Sequence, residues 1–313
     1  MTRATAARLV EPGRPLDIQE VDLADPAAGE VLVELTHAGV NPFDRYNAAG
    51  LVLPDGPLPR TIGGEATGTL DGRAVLVVGG PTGLGLTSDG TWATAVVTPA
   101  ETVLPLPDGV DPVAAATLGV AGQTAWQAVH SVGLVTSADR VVVLGASGGV
   151  GGIAVALAAQ TGAEVWGQTT NPENAELIRE SGAHHVLVGG PEALDAVKPT
   201  VAFDALGGAY TGALVERLRP GGRLVSYGTS TGARVELNMQ SVYRKGLSLL
   251  GYASLHFAPE EREAALLGLL DALATGALKV RIAGVLPLAE AQQALDLLAQ
   301  RAMVGKLVLD LRA

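Results

Sequence analysis

Cysteine is absent from the 313 residues of this sequence. Without thiols the chain can form no disulfide and can offer no thiolate as a nucleophile or zinc ligand. Histidine is scarce as well, and the five that occur do not follow metal-site spacing; they are His37, His130, His184, His185 and His256. We therefore expect no metal centre.

Positive charge is also in short supply. Lysine and arginine total 21 against 32 acidic residues, which gives a formal net charge of −11 and an isoelectric point near 4.9. A nucleic-acid partner needs a basic face on the protein. We therefore expect no nucleic-acid partner.

Long uninterrupted apolar runs are missing. The most apolar stretch, residues 141–159, carries five glycines between Gly145 and Gly152, which disfavours a membrane-spanning helix. The first residues lack the apolar core of a signal peptide. The sequence therefore predicts a cytoplasmic protein that makes no membrane contact.

Length and patterning predict two kinds of domain. The chain is longer than one ordinary core requires. In the first hundred residues, short alternating runs at 31–40, 74–80 and 92–99 indicate the strands of a β-rich unit. Residues 111–132 then predict a helix that is capped by Asp111.

From about residue 136 the pattern changes, because short apolar runs alternate with helical segments. This alternation predicts a parallel, doubly wound α/β sheet of the Rossmann type. The predicted strands are 141–145, 164–168, 185–188, 201–206, 223–228 and 248–252, and the helices between the early strands are 153–160, 172–182 and 210–219.

The last sixty residues mix helices with a few strands. We expect a helix at 259–276, a strand pair near 280–288, a helix at 289–300 and a strand at 306–311. These strands are too few to form a sheet of their own. We therefore expect them to return to the N-terminal β unit.

The most informative segment is VVVLGASGGVGG, which begins at Val141. A predicted strand leads into a turn in which Gly145, Gly148 and Gly151 recur at intervals of three, and a helix follows. Glycine suits such a turn because a side chain would hold a pyrophosphate away from the helix N-terminus. The context favours a dinucleotide phosphate site. A purely structural turn is the alternative.

The end of the next strand bears on which dinucleotide binds. Residues 165–170 read VWGQTT, and the first acid after them is Glu173. Cofactors with a free ribose 2′-hydroxyl usually meet Asp or Glu at this point. The missing acid favours NADPH over NADH and argues against a methyltransferase. The alternative is that Thr169 and Thr170 only cap a helix that begins near Pro172.

Seven motifs carry a family resemblance, and they are AGVNPFDRYNAAG (38–50), LPLPDGV (104–110), LGVAGQTAW (118–126), GASGGVG (145–151), FDALGG (203–208), RPGGRLVSYG (219–228) and GKLVL (305–309). In this order they resemble the zinc-independent quinone oxidoreductases, the zeta-crystallin-like group of the medium-chain dehydrogenase/reductase superfamily. The resemblance implies a GroES-like catalytic domain at 1–118, a Rossmann cofactor domain at 119–254 and a returning segment at 255–313. It also implies a homodimer, with the strand near 247–252 as an exposed sheet edge.

The resemblance further implies which residues lie along the cofactor. The pyrophosphate turn comprises Ala146, Ser147, Gly148, Gly149, Val150 and Gly151. Gly122 and Thr124 are also implied to lie along the cofactor. Because Tyr227 and Gly228 lie at a predicted strand end, we expect their backbone groups to meet the nicotinamide carboxamide. The 2′-phosphate pocket keeps Thr169 or Thr170 and Arg301, whereas Asn174 and Gly189 stand where relatives use a lysine and a tyrosine. NADPH remains the expected cofactor, and NADH is less favoured.

On the substrate side the resemblance implies a loop that contains Asn41, Asp44 and Tyr46. Zinc-dependent relatives place a cysteine near Asn41 and a His-Glu pair where this chain has Gly64-Glu65, so hydride transfer without zinc is implied. Quinones and conjugated enones suit that chemistry because they delocalise the charge that develops. We expect Asn41 and Tyr46 to orient the acceptor carbonyl, and Asp44 to order the loop. The alternative is that Asn41 only precedes Pro42 in a turn and that Tyr46 packs at a rim.

The leading hypothesis is therefore an NADPH-dependent oxidoreductase that acts on a small quinone or an α,β-unsaturated carbonyl. An enoyl reductase for a larger acyl or natural-product substrate is one alternative. A catalytically silent protein that binds the dinucleotide as a sensor or docking module is the other.

Overall fold

The computed structural model describes residues 2–79, 83–300 and 303–313. The chain divides into two compact units. The first comprises Met1–Ala121, Leu266–Ala277 and Arg281–Ala313, and the second comprises Gly122–Ala265 and Leu278–Val280.

Strands occur in both units. In chain order the described strands are β1 (Thr2–Leu9), β2 (Asp17–Leu23), β3 (Glu30–Val40), β4 (Arg60–Thr61), β5 (Glu65–Leu70), β6 (Arg73–Val78), β7 (Ala95–Pro99), β8 (Val103–Pro105), β9 (Arg140–Val143), β10 (Glu164–Thr169), β11 (His185–Val188), β12 (Val201–Asp204), β13 (Arg223–Ser226), β14 (Ser248–Gly251), β15 (Ile282–Pro287) and β16 (Lys306–Asp310).

The α-helices of the described residues are α1 (Pro42–Ala48), α2 (Pro112–Ala115), α3 (Gln123–Trp126), α4 (Gly149–Gln160), α5 (Ala175–Glu180), α6 (Gly208–Arg217), α7 (Met239–Lys245), α8 (Pro259–Ala274) and α9 (Ala291–Gln300). The expected helix at 111–132 is helical, but π-helical turns at Leu118–Gly122 and Gln127–Val132 flank α3. Asp111 caps α2, since its side chain accepts a hydrogen bond from the Val113 N–H at 3.0 Å. Within the described residues, no helix has the length and apolar character that crossing a bilayer requires.

The first unit is built mainly from antiparallel strands. One sheet has the order β15-β16-β3-β5-β6-β8, with β7 also paired to β3, and a smaller sheet has the order β2-β1-β4. Strand β3 alternates buried and less buried positions, and its Val33 and Leu35 lie in the same apolar core as Trp92 and Leu309. This core joins the N-terminal strands to the last strand of the chain.

The C-terminal strands return to the first unit, as expected. Strand β16 pairs antiparallel with β3, with Leu307 opposite Val40. The expected strand pair near 280–288 is wrong, because the segment forms only β15, which pairs parallel with β16. Strand β15 ends at Pro287, and a 3₁₀ turn then leads into α9.

The second unit is a six-stranded parallel sheet in the order β11-β10-β9-β12-β13-β14. Its central strands β9 and β12 are apolar and almost wholly buried, as strands covered on both faces must be. Val142, Leu144, Ala202 and Leu214 lie in one buried cluster. The strand order reverses direction at β9, so the carboxyl ends of β9 and β12 form the crevice where such sheets bind ligands. The α/β fold class expected from the sequence is confirmed.

Candidate active site

Strand β9 leads directly into the glycine turn. Gly145 has a φ of 62°, a left-handed conformation that glycine adopts without steric cost. The Gly148 N–H donates to the Gly145 carbonyl at 2.9 Å, and α4 begins at the next residue. In the described part of the chain, no side chain caps this end of α4. The first turn of α4 therefore offers backbone N–H groups and a positive dipole end to an anion.

Packing explains the third glycine of the motif. A Cβ at Gly151 would lie 2.2 Å from the Gly145 carbonyl oxygen and 2.9 Å from Ala146 Cα. At the neighbouring Gly152, the nearest atom to an added Cβ is the Ala146 carbonyl oxygen at 3.7 Å. Helix α4 thus rests directly on the turn at Gly151 but leaves room at Gly152. The turn is therefore tightly packed at Gly151, while residues 147–150 remain half-buried.

Gln168, which the sequence did not single out as a site residue, holds this turn in place. Its side-chain oxygen accepts from the Gly145 N–H at 3.2 Å, and its side-chain nitrogen donates to the Gly189 carbonyl at 2.7 Å. Its backbone carbonyl accepts from the Ala146 N–H at 2.9 Å. A buried amide therefore links the turn to the ends of β10 and β11, and it is not free to bind a phosphate.

The segment after β10 is polar and contains no carboxylate before Glu173. The Thr169 hydroxyl is buried and bonds to the backbone of Asn171, whereas the side chain of Thr170 is exposed. The helical segment beginning at Pro172 is capped by Asn171, whose side chain accepts from the Glu173 N–H at 3.0 Å. The alternative in which the two threonines cap it is therefore wrong. Thr170 remains as an open hydroxyl at this strand end.

The other expected cofactor residues are less informative. Gly122 ends a π-helical turn, and Thr124 lies half-buried in α3. Asn174 is half-buried at the start of α5. Arg301 lies outside the described residues.

At the end of β13, one of the two backbone groups of Tyr227 that were expected to contact the cofactor is already hydrogen-bonded within the protein. Its N–H donates to the Asp204 carbonyl at 3.0 Å, so only its carbonyl is left for a ligand. Its hydroxyl is buried and has no hydrogen-bond partner among the described residues, and burial raises its pKa. A Cβ at Gly228 would lie 2.8 Å from the Ala205 carbonyl oxygen, so this residue packs against the end of β12.

In the first unit, Asn41 lies at the centre of a buried polar cluster. Its side-chain nitrogen donates to Glu65 Oε1 at 2.7 Å, and its side-chain oxygen accepts from Lys306 Nζ. Its backbone N–H donates to Asp44 Oδ2 at 2.8 Å. Asn41 is only 2% exposed. The amide that was expected to face a substrate is thus engaged inside the protein.

The four side chains of this cluster, Asn41, Asp44, Glu65 and Lys306, place two carboxyl groups and one ammonium group out of contact with water. Burial raises the pKa of Asp44 from 3.8 to about 7, and the charge of Glu65 adds to this effect. Hydrogen bonds from Asn41 and the charge of Lys306 act in the opposite direction. Burial also lowers the pKa of Lys306, while Glu65 and Asp44 oppose that change. Neither Glu65 nor Lys306 was among the residues chosen from the sequence.

Tyr46 lies on the other face of α1. Its ring is 39% exposed, and the Arg45 guanidinium is 6.0 Å from the ring centroid. The buried face of α1 carries Asp44 and Asn47, and the Asn47 side chain donates to the Gly85 carbonyl at 2.7 Å. The structure therefore brings Asn41 and Asp44 together and leaves the Tyr46 side chain accessible.

Solved structures share this architecture. One that is described as an NAD-dependent alcohol dehydrogenase has a TM-score of 0.89 at 25% identity and covers 98% of this chain and 99% of that chain. A mycobacterial protein complexed with NADPH has a TM-score of 0.84 at 27% identity and covers 98% of this chain and 99% of that chain. In addition, a family model described as a zinc-binding dehydrogenase matches residues 181–309.

The residues of this chain do not fit the zinc ion that the family description names. The sequence contains no cysteine, and within the described residues no group of three or more His, Asp or Glu side chains is arranged to hold a metal. The buried carboxylate of Glu65 already faces an ammonium, with Lys306 Nζ 3.6 Å from its Oε1.

Curated relatives complete the comparison. A zinc-type alcohol dehydrogenase-like protein of Schizosaccharomyces pombe is 30% identical, and the match covers 88% of this chain and 86% of that protein. Quinone oxidoreductase of Rattus norvegicus is 29% identical over 97% of each chain, and 2-haloacrylate reductase of Burkholderia sp. is 28% identical over 93% of each.

A much longer protein matches as well. A phenolphthiocerol/phthiocerol polyketide synthase protein of Mycobacterium tuberculosis is 29% identical over 98% of this chain, but the chain spans only 15% of that protein. The fold, the sequence motifs and the relatives that match over most of their length all indicate the same superfamily. The chain belongs to the medium-chain dehydrogenase/reductase superfamily, as an oxidoreductase related to its quinone oxidoreductases.

Proposed function

We propose that this chain transfers a hydride from NADPH to a quinone or an α,β-unsaturated carbonyl compound. The observation that carries the proposal is the N-terminus of α4, which no side chain of the described residues caps and which rests on the Gly145–Gly151 turn at the switch point of the sheet. Such an arrangement suits a pyrophosphate. The names of two full-length relatives, a quinone oxidoreductase and a 2-haloacrylate reductase, support the acceptor class.

NADPH is the proposed donor because the strand end after β10 carries no acid. Thr170 presents an exposed hydroxyl there, and the side chain of Thr169 is tied to Asn171. Residues 165–172 themselves carry no carboxylate that would repel a 2′-phosphate or accept a hydrogen bond from a free 2′-hydroxyl. A neighbour in the fold is complexed with NADPH, which supports the same choice.

When bound, NADPH would supply the hydride, and the protein must then hold the acceptor and manage one proton. The exposed Tyr46 hydroxyl can donate a hydrogen bond to the acceptor oxygen, where charge develops as the hydride arrives. Tyr46 or water then supplies the proton, so that one hydride and one proton convert a quinone to a hydroquinone or an enone to the saturated carbonyl. Asn41 supports this chemistry indirectly, because its amide is engaged with Glu65 and Lys306.

The proposal is tested by mixing the protein with NADPH and a panel of small quinones and enones, and by following both cofactor oxidation and the product. We expect oxidation that depends on the acceptor and yields a stoichiometric amount of reduced product. Tight NADPH binding without turnover on any acceptor would instead favour the silent sensor or docking protein.

A second candidate function is enoyl reduction on a larger acyl substrate. It is favoured by the polyketide synthase relative, in which a segment equivalent to nearly this whole chain lies within a much longer protein. An α,β-unsaturated thioester poses the same chemical problem as an enone. Faster turnover of long-chain enoyl thioesters than of small quinones would establish this alternative.

We also propose that the protein is located in the cytoplasm, where NADPH is available as a hydride donor. We further propose that it is a homodimer. Strand β14 is the last strand of the parallel sheet, so its outer edge has no partner strand among the described residues of this chain. Leu249 on β14 and Met239 and Tyr243 on the preceding α7 are exposed. A second copy could extend the sheet across a two-fold axis. Light scattering should give twice the mass of the chain, and Leu249→Lys should shift the protein to the monomer.

A further inference from the structure

Lys306 is a buried cation that joins three parts of the first unit. It begins β16 and is 4% exposed. Its Nζ donates to the Val40 carbonyl at 3.0 Å and to Asn41 Oδ1, and it lies 3.6 Å from Glu65 Oε1. The last strand of the chain is thereby tied to the end of β3, to the start of α1 and to the start of β5.

Glu65 is held just as closely. Its Oε1 accepts from Asn41 Nδ2 at 2.7 Å, and its Oε2 accepts from the Val120 N–H at 2.8 Å. A buried charge is tolerated only when it is paired and hydrogen-bonded, and removal of one partner leaves the other uncompensated. Both polar ends of the Asn41 amide are therefore fixed by opposite charges, which allow only one orientation of the amide.

The orientation of Asn41 sets the first turn of α1. Asn41 is the N-cap of this helix, its N–H donates to Asp44 Oδ2 at 2.8 Å, and its carbonyl accepts from the Asp44 N–H at 3.0 Å. The far end of α1 has its own anchor, because the Asn47 side chain bonds to Gly85 and Arg60. Tyr46 lies between these two anchors. A shift at Asn41 would therefore tilt the segment that carries the Tyr46 hydroxyl.

We propose that Lys306 is a positioning residue, whose ammonium fixes the Asn41 amide and, through the start of α1, the placement of Tyr46 for hydride acceptance. The proposal rests on the proposed function, in which Tyr46 contacts the acceptor. The ammonium of Lys306 is buried within the protein, at the start of β16. Its role is to hold geometry, and it does not contact the substrate.

The experiment compares four variants with the wild type: Lys306→Met, Lys306→Arg, Glu65→Gln combined with Lys306→Met, and Lys279→Met. The Glu65→Gln/Lys306→Met pair removes both charges at once, so it avoids leaving an unpaired buried carboxylate. Lys279 is exposed and serves as the matched control. Five quantities are measured for each: the thermal unfolding temperature, the NADPH affinity, kcat, KM for a quinone or enone, and the hydrogen exchange of the backbone amides within 41–50.

We expect Lys306→Met to lower thermal stability and the double variant to recover most of that loss. We expect the double variant to bind NADPH as the wild type does, yet to show kcat reduced by about tenfold to a hundredfold, because a displacement near 1 Å has that effect on a reacting geometry. Its 41–50 amides should exchange faster than in the wild type. Lys306→Arg, which keeps the charge, should retain more activity than Lys306→Met, and Lys279→Met should behave as the wild type.

A cycle with Asn41→Ala identifies the route of the effect. If Lys306 acts through Asn41, Lys306→Met should reduce kcat much less in the Asn41→Ala background than in the wild type. Full additivity of the two changes would overturn the proposal, and so would a charge-neutral double variant with wild-type kcat and wild-type exchange. If the wild-type protein reduces no acceptor, the proposed function fails, and the exchange of the 41–50 amides still decides whether Lys306 positions α1.

Discussion

Replacement of Gly151 by alanine tests whether the turn after β9 must stay packed on α4 to bind the cofactor. The new Cβ would lie 2.2 Å from the Gly145 carbonyl oxygen and 2.9 Å from Ala146 Cα, distances at which the backbone has to move. The required shift is roughly 1 Å in a close-packed region. Overpacking of this kind costs about 1–3 kcal/mol, partly offset by the roughly 0.5–1 kcal/mol that alanine gains over glycine within a helix.

Such a shift also misplaces the N–H groups that α4 offers to a pyrophosphate. A hydrogen bond to a charged group contributes about 1.5–3 kcal/mol, so loss of one such bond should weaken NADPH binding by about tenfold to a hundredfold. Fluorescence titration with NADPH and thermal unfolding measure the two effects separately.

Gly152→Ala is the matched control, because the nearest atom to its Cβ is 3.7 Å away. We expect this variant to bind NADPH with unchanged affinity and to be at least as stable as the wild type. The reasoning is refuted if Gly151→Ala binds NADPH normally, or if Gly152→Ala loses as much affinity as Gly151→Ala does.

Three further predictions concern single side chains. Between about pH 4 and pH 7 the unfolded chain loses the Asp44 proton while the folded protein keeps it. The wild type should therefore lose stability as the pH rises through this range. The Asp44→Asn variant lacks this titrating group. Its unfolding free energy relative to the wild type should therefore increase by about 2–3 kcal/mol between about pH 5 and about pH 8, and a pH-independent difference in urea unfolding would contradict the buried, protonated carboxyl. Thr170→Asp places a carboxylate at the end of β10 and should weaken NADPH binding by about tenfold or more while weakening NADH binding less; equal losses for the two cofactors would place the 2′-phosphate elsewhere. Tyr46→Phe should lower kcat by about tenfold to a hundredfold with NADPH affinity unchanged, whereas Tyr243→Phe, at another exposed tyrosine, should change neither, and an unaltered kcat in Tyr46→Phe would remove that residue from the chemistry.

Features of the fold that depend on local patterning were predictable. The strand–helix alternation after residue 136 predicted the parallel sheet, and the glycine spacing predicted the turn between β9 and α4. Asp111 as a helix cap also followed from sequence neighbours alone. The single strand at Ile282–Pro287 differs from the expected pair, because its parallel partner β16 lies about twenty residues further along the chain and pairing across such a gap leaves no local signal.

The interior of the candidate site was less accessible to sequence reasoning. Lys306 contacts Asn41 across 265 positions, and no periodicity links residues so far apart. The sequence did contain one indication, because a lysine at the start of an apolar strand needs a charged or polar partner if it is buried. The structural role of Gln168 could not be predicted, because its side chain bonds to the backbone of Gly145 and Gly189, which lie about twenty residues away in either direction.

The most direct test of the central claim is transfer of deuterium from NADPH in which both hydrogens of the reactive ring carbon are replaced by deuterium. The wild-type protein is incubated with labelled NADPH and an α,β-unsaturated carbonyl acceptor, and the product is analysed by mass spectrometry. The account predicts one deuterium on the acceptor's electrophilic carbon, together with loss of this transfer in Gly151→Ala at limiting cofactor. Unlabelled product, or bound NADPH that is never oxidised by any acceptor, would contradict it.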